Sequence, residues 1–134
     1  MTASGPIPVA AGILQRGGRI LICQRHRADP YSLQWEFPGG KVRDGETSER
    51  ALRRELQEEL AIEAEVGQEV FRLRHRYPDR HVEVAFFQVM SFKGEPCNRV
   101  FEAIAWVARA DLPSYDFLEA DRDLVERVAR GEIL

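Results

Sequence analysis

The sequence predicts an α/β layered domain, a mixed β-sheet covered by helices. Three observations carry that prediction: strand-like runs stand on both sides of one strongly helical segment, a second helical pattern closes the chain, and no repeat or linker separates them. Residues 1–134 read as a single domain, because two cores of ordinary size in 134 residues would leave neither half enough interior.

Val9 to Leu14 and Arg19 to Gln24 are short β-rich runs separated by Gly17-Gly18, a dipeptide that accepts the positive φ of a tight hairpin turn. From His26 to Gly45 the chain carries Pro30, Pro38, Gly39, Gly40 and Gly45, so it reads as a loop around a short extended piece at Trp35 to Phe37. A long ordered loop in a small domain is usually functional. Thr47 to Leu60 lacks Pro and Gly, is rich in Glu, Leu, Arg and Ala, and opens on a Thr cap with Glu49 in its first turn, which predicts a helix. Extended runs follow at Glu69 to Tyr77, Val82 to Met90 and Val100 to Val107, with turns at Pro78-Asp79 and Gly94-Glu95-Pro96. Leu124, Val125 and Val128 at helical spacing predict a closing helix over Asp121 to Arg130.

Composition narrows the function. With 44% hydrophobic and 31% charged residues and no long apolar run, the chain is neither disordered, collagenous nor membrane-spanning. Met1 to Gly18 has no basic segment followed by an apolar stretch and cleavage site, which makes the cytoplasm the expected compartment. Cys23 and Cys97 are far apart and outside any CxxC pattern, so both are expected as buried small apolar side chains rather than a disulfide or zinc site. A net charge of −3 argues against binding polymeric nucleic acid, yet basic clusters at Arg25 to Arg27 and Arg72 to Arg80 stand beside an acidic stretch from Glu46 to Glu65. That pairing suits a phosphorylated small molecule bridged by a cation.

The acidic stretch has a geometry. With Glu55 at zero and about 100° per residue, Glu58 falls at about 300° and Glu59 at about 40°, one sector of carboxylates. Leu52, Leu56 and Leu60 form the core stripe beside it, and Arg50, Arg53, Arg54 and Gln57 fill the solvent arc. Like charges at these spacings repel, so the sector is either a solvated face relieved by pairs such as Arg54 to Glu58, or a site for Mg²⁺ or Mn²⁺, which prefer hard carboxylate oxygens. Gly39 and Gly40 just upstream let backbone groups approach a cation or phosphate.

From Gly40 the chain reads GKVRDGETSERALRRELQEELAI, which resembles the signature box of the Nudix hydrolases. Gly40, Glu46, Arg54, Glu55, Leu56, Glu58, Glu59 and Ile62 fall in register, and one position departs: Ala61 stands where the family has its last Gly, at a helix end where a left-handed conformation strains Ala. WEFPGGK at Trp35 to Lys41, Gln24-Arg25, YPDRH at Tyr77 to His81 and KGEP at Lys93 to Pro96 are similar to its MutT branch, whose members hydrolyse nucleoside triphosphates, oxidised guanine nucleotides included. The similarity is best before residue 97.

The resemblance implies the Nudix fold, a mixed sheet sandwiched between helices, and hydrolysis to a nucleoside monophosphate and pyrophosphate with Mg²⁺ or Mn²⁺. It implies Glu55, Glu58 and Glu59 as metal ligands with the Gly39 carbonyl, Glu55 as the group that orients or deprotonates water, and Arg54 and Glu46 as residues that orient the ligands. It further implies substrate contacts at Arg25, at Glu36, Phe37, Pro38, Gly39, Gly40 and Lys41, and at Arg80. Some relatives supply a further acidic ligand from a later strand; Val100 stands there, and Glu102, two residues on and on the same strand face, is the candidate. Where enzymes favouring oxidised guanine carry an Asn before the last helix, this chain has Asp121, either a base reader or simply the helix cap. Trp35 is expected in the core; the arginines of 72–76 are expected on a solvated strand face; His26, His75 and His81 receive no role.

The expected function is nucleotide-pool sanitation of the 8-oxo-dGTP class, by a monomer or homodimer. A CTP or dCTP pyrophosphohydrolase shares the same box and length. Hydrolysis of nucleotide sugars or dinucleoside polyphosphates would need room that 134 residues barely give, and a non-catalytic nucleotide- or RNA-binding module would have no use for a self-repelling triad.

Overall fold

The computed structural model describes residues 5–134; residues 1–4, part of the stretch weighed above for a secretion leader, lie outside the described residues. β1 (Ile7–Arg16) and β2 (Arg19–Gln24) form the expected hairpin, with Arg16 opposite Arg19 and Gly17 and Gly18 at φ 57° and 76°. Two consecutive positive φ values give a turn whose twist matches the strands, which a side chain on Cβ would resist.

The hairpin soon opens. β1 runs parallel to β7 (Arg80–Val89) from Ile7 opposite Val82 to Leu14 opposite Val89, and β7 continues antiparallel into β6 (Glu69–Tyr77) across the two-residue Pro78-Asp79 turn. The other edge of β1 is shared: β4 (Gly39–Lys41) takes its first half, Pro38 O accepts the Gly12 amide, and β2 takes its end. β2 also pairs with β3 (Trp35–Glu36) and β9 (Ala103–Ala108), completing a seven-stranded mixed sheet. β5 (Glu63–Glu65) and β8 (Ser91–Lys93) make a small separate pair that the sequence did not predict; three-residue strands carry too short a pattern to read.

Strand alternation sorts the side chains onto two faces. Ala10, Leu14, Leu21, Ala85 and Phe87 meet Leu52, Leu56 and Leu60 of helix α1 (Ser48–Leu60), while Ala11, Ile13, Ile22, Val84 and Phe86 meet Leu124, Val125 and Val128 of helix α2 (Arg122–Ala129). A helix therefore covers each face. The three α1 leucines are fully buried, each worth about 1.5–3 kcal/mol by area. Thr47 caps α1, its side chain accepting from the Arg50 amide. No helix among the described residues is long and apolar enough to cross a membrane.

Two expectations are corrected. The strand predicted from Val100 starts at Ala103, because Asn98 bonds both the amide and the carbonyl of Phe101 at 2.8 Å and bends the chain through 99–102. Cys23 is buried as expected, but Cys97 is exposed in that same connection, where its amide donates to Leu60 O at the end of α1.

Candidate active site

The arginine and carboxylates of α1 are arranged by a single guanidinium. Arg54 Nε and Nη2 hold the Glu46 carboxylate at 2.8 and 3.0 Å, Nη1 reaches Glu55 at 3.2 Å and Glu58 at 3.5 Å, and Nη2 also donates to Lys41 O. Arg54 is thus folded inward, and its placement on the solvent arc by helical angle is corrected: the long side chain reaches over the loop that precedes the helix. This bidentate grip holds Glu46 down at about 2.

Glu55 lies directly over Gly40, where a Cβ would stand 2.3 Å from Oε2. Gly39 takes φ 153°, and a Cβ there would strike Ala10 O at 2.1 Å, so both glycines are required by close packing. The Gly39 amide donates to Glu59 Oε1 at 3.3 Å. Burial, then the neighbouring Glu55 and Glu36, pushes Glu59 up to about 9. As they stand, Glu55 and Glu58 turn toward Arg54 and Glu59 toward Gly39, and among the described residues no three acidic, thiol or imidazole side chains gather at metal-ligand spacing. The donor set is nonetheless all hard oxygen beside glycine backbone, and the chain supplies more negative charge there than Arg54 balances; a divalent cation fits that chemistry.

Glu59, Gly39, Gly40 and Lys41 open into a cavity of about 290 Å³ whose wall also includes Arg25, Glu36, Phe37, Arg80 and Asp121. Arg25 pairs with Glu36 at 3.1 Å and donates through Nε to Pro30 O. Burial raises Glu36 above the usual carboxylate range, and Arg25 offsets part of the shift. Arg80 lies over the rings of Tyr31 and Tyr77, 5.7 and 5.4 Å from their centroids, and its buried Nε has no hydrogen-bond partner among the described residues. Asp121 is 6% exposed, and burial with Glu36 nearby lifts it to about 8. Its side chain makes no capping hydrogen bond to α2.

Other expected residues are placed differently. Glu102 precedes β9 and pairs with Arg27 at 2.7 Å, outside the cavity wall, which removes the strand-face argument for it as a ligand. Pro38 commits its carbonyl to Gly12. Phe37 is the core residue, packed on Phe86 and Phe117, while Trp35 is half-buried with its ring edge-on to Tyr115, the reverse of the expected order. Arg72 and Arg74 are exposed and paired with Glu69 and Glu83, the solvated face the alternation predicts. Asp29, Tyr77 and Phe101 line the cavity without having been anticipated; of these only Tyr77, at the end of a strand before a Pro-Asp turn, had a readable signal.

Residues 9–127 match the NUDIX domain family. The chain is 37% identical over 123 residues to an 8-oxo-dGTP diphosphatase of Haemophilus influenzae, covering 91% of this chain and 90% of that protein. It is 36% identical over 120 residues to a CTP pyrophosphohydrolase of Escherichia coli, covering 90% and 89%. The crystal structure of a MutT Nudix hydrolase from Burkholderia pseudomallei superposes with a TM-score of 0.83 at 32% identity, over 93% of this chain and 99% of that one. The signature carboxylates on α1, the glycine approach beneath Glu55, the sandwiched mixed sheet and these likenesses agree: the chain belongs to the Nudix hydrolase family.

Proposed function

We propose that this chain hydrolyses nucleoside triphosphates to nucleoside monophosphate and pyrophosphate with Mg²⁺ or Mn²⁺, taking oxidised guanine and cytidine nucleotides as the relatives' names indicate. The observation that supports this most is one cavity whose wall contains both the half-buried Glu59 of the signature helix and the buried Asp121, with the cations Arg25 and Arg80 in the same wall.

Glu55, Glu58 and Glu59 with the Gly39 carbonyl would hold the cation. When bound, it neutralises charge developing on the phosphoryl oxygens and lowers the pKa of water. Glu55 orients the attacking water and takes its proton at a carboxylate oxygen. Arg54 fixes Glu55 and Glu58 from one side and is itself fixed by Glu46. Arg25 and Lys41 bring positive charge to the phosphates, and Arg80 Nε supplies a donor that has no partner among the described residues. Glu36, Phe37 and Asp121 form the part of the wall suited to a base. Glu102 is left out, its carboxylate being taken by Arg27.

A panel of unmodified and oxidised triphosphates with Mg²⁺ tests the reading. Orthophosphate should appear only after added inorganic pyrophosphatase. Orthophosphate released directly, or full turnover in EDTA, contradicts it; nucleotide binding without turnover would favour the non-catalytic module.

A further inference from the structure

We propose that Tyr77, braced by His75, is a positioning residue for Asp121: its hydroxyl pins the Glu119–Asp121 turn to the end of β6 and so sets where the Asp121 carboxyl meets the substrate base. This rests on the proposed nucleotide function of the cavity.

The segment 115–121 crosses from the sheet to α2 and is fastened in two halves. Its first half is tied to β3, with the Trp35 amide donating to Asp116 O and the Leu118 amide to Trp35 O, both at 2.9 Å. From Glu119 the chain leaves β3 and makes one 3₁₀ turn, Glu119–Asp121, closed by the Asp121 amide on Leu118 O. A single such turn has poor hydrogen-bond geometry and little stability of its own. Nor does Asp121 fix itself by capping, since its side chain makes no bond to the first turn of α2.

What holds this half comes from β6. The Ala120 amide donates to Tyr77 Oη at 3.1 Å, and Glu119 Oε1 lies 3.2 Å from His75 Nε2. Alternation along β6 turns His75 and Tyr77 toward the α2 face while Arg74 and Arg76 point to solvent, so the two anchors are adjacent on one side. Tyr77 is rigid: its ring is 4.5 Å from His75 at 65°, 5.0 Å from Tyr31, and lies under Arg80. Burial raises its hydroxyl to about 12, which keeps it neutral and available to the amide. The residue after Ala120 is Asp121, so a shift of this peptide moves the carboxyl within the cavity.

Tyr77→Phe keeps the ring and removes only the anchor. Specificity constants for 8-oxo-dGTP and CTP, measured in competition with Mg²⁺, should give a ratio that moves toward unity by roughly three- to tenfold, the change falling on KM. In an Asp121→Ala background the same substitution should leave the ratio where Asp121→Ala put it. His75→Ala, which removes the ring packed against Tyr77, should act in the same direction more weakly. Amide exchange at Ala120 and Asp121, read without nucleotide, should accelerate in Tyr77→Phe. The proposal is overturned by unchanged exchange, by a ratio that moves equally in the Asp121→Ala background, or by an equal fall in kcat for every base. A wild-type protein inactive on all triphosphates would sink the function instead, while the exchange measurement would still decide the anchor.

Discussion

Arg54 grips both oxygens of Glu46 at 2.8 and 3.0 Å, and the same guanidinium faces Glu55 and Glu58. The fork geometry matters, because an ammonium cannot hold two carboxylates in a plane. Arg54→Lys is expected to lower kcat about 10–100-fold with little change in KM. The pair also has a pH signature. Glu46 sits at about 2 in the folded protein against a usual 4.5, so its contribution is fully present above about pH 4.5 and is lost as pH falls toward 2. Melting temperatures of wild type and Glu46→Gln should therefore differ near neutrality and converge in acid; a constant gap would refute the linkage.

The carboxylate sector gives a second expectation. Glu55→Gln, Glu58→Gln and Glu59→Gln should each lower turnover by orders of magnitude while the fold persists. Glu59 is raised from 4.5 to about 9, so in EDTA its penalty grows as pH rises through that window. Glu59→Gln should then melt higher than wild type at pH 8, with the advantage shrinking by pH 5, and should lose most of the stabilisation wild type gains on adding Mg²⁺. Undiminished turnover in any two of the three variants would remove the triad from the mechanism.

How far these features could be read from sequence depended on the length of pattern each one has. The hairpin at Gly17-Gly18, α1 with its Thr47 cap and the Pro78-Asp79 turn rest on local residues whose conformational demands are strong, and the structure has them where the pattern does. Glu102 was expected on a strand face and lies instead in the bend before β9. Asn98 folds the backbone onto itself through a side-chain bond pair, and no periodicity announces such a turn. Asp29 reaches the cavity through a chain segment distant in sequence, which a one-dimensional pattern does not encode, whereas Tyr77 stood at a readable strand end before Pro78-Asp79.

Ala61 tests the one departure from the signature. It ends α1 at φ 59° and ψ 34°, its amide donating to Gln57 O at 3.1 Å. That is the left-handed cap Gly occupies without strain, and Ala pays about 1 kcal/mol there. Ala61→Gly relieves the strain but loosens the unfolded chain, which returns part of the gain. A net stabilisation of a few tenths to about 1 kcal/mol is expected in urea titration, with kcat within twofold because the hydrogen bond of the cap goes to Gln57 O and not to a carboxylate. A less stable Ala61→Gly protein would show that the helix end relaxes in solution.

Asp121 carries the last expectation, base choice. An ionised carboxylate only accepts hydrogen bonds and suits a base edge presenting an amino group, whereas a protonated one also donates. Held at about 8 by burial and by Glu36, Asp121 changes form within the working pH range. The wild-type ratio of specificity constants for 8-oxo-dGTP over CTP should therefore fall as pH rises from 7 to 9. Asp121→Asn, whose amide donates and accepts at every pH, should shift the ratio toward 8-oxo-dGTP and flatten its dependence. Stability follows the same titration: because the folded value exceeds the usual 3.8, the cost of ionisation is absent below about pH 4 and grows until pH passes 8. Asp121→Asn should consequently melt above wild type at pH 8, and the two should approach each other near pH 4. An Asp121 acting only as a helix cap predicts the opposite pattern, an unaltered base ratio at every pH with no stability gain at high pH, and the absence of any side-chain bond from Asp121 to α2 argues against it.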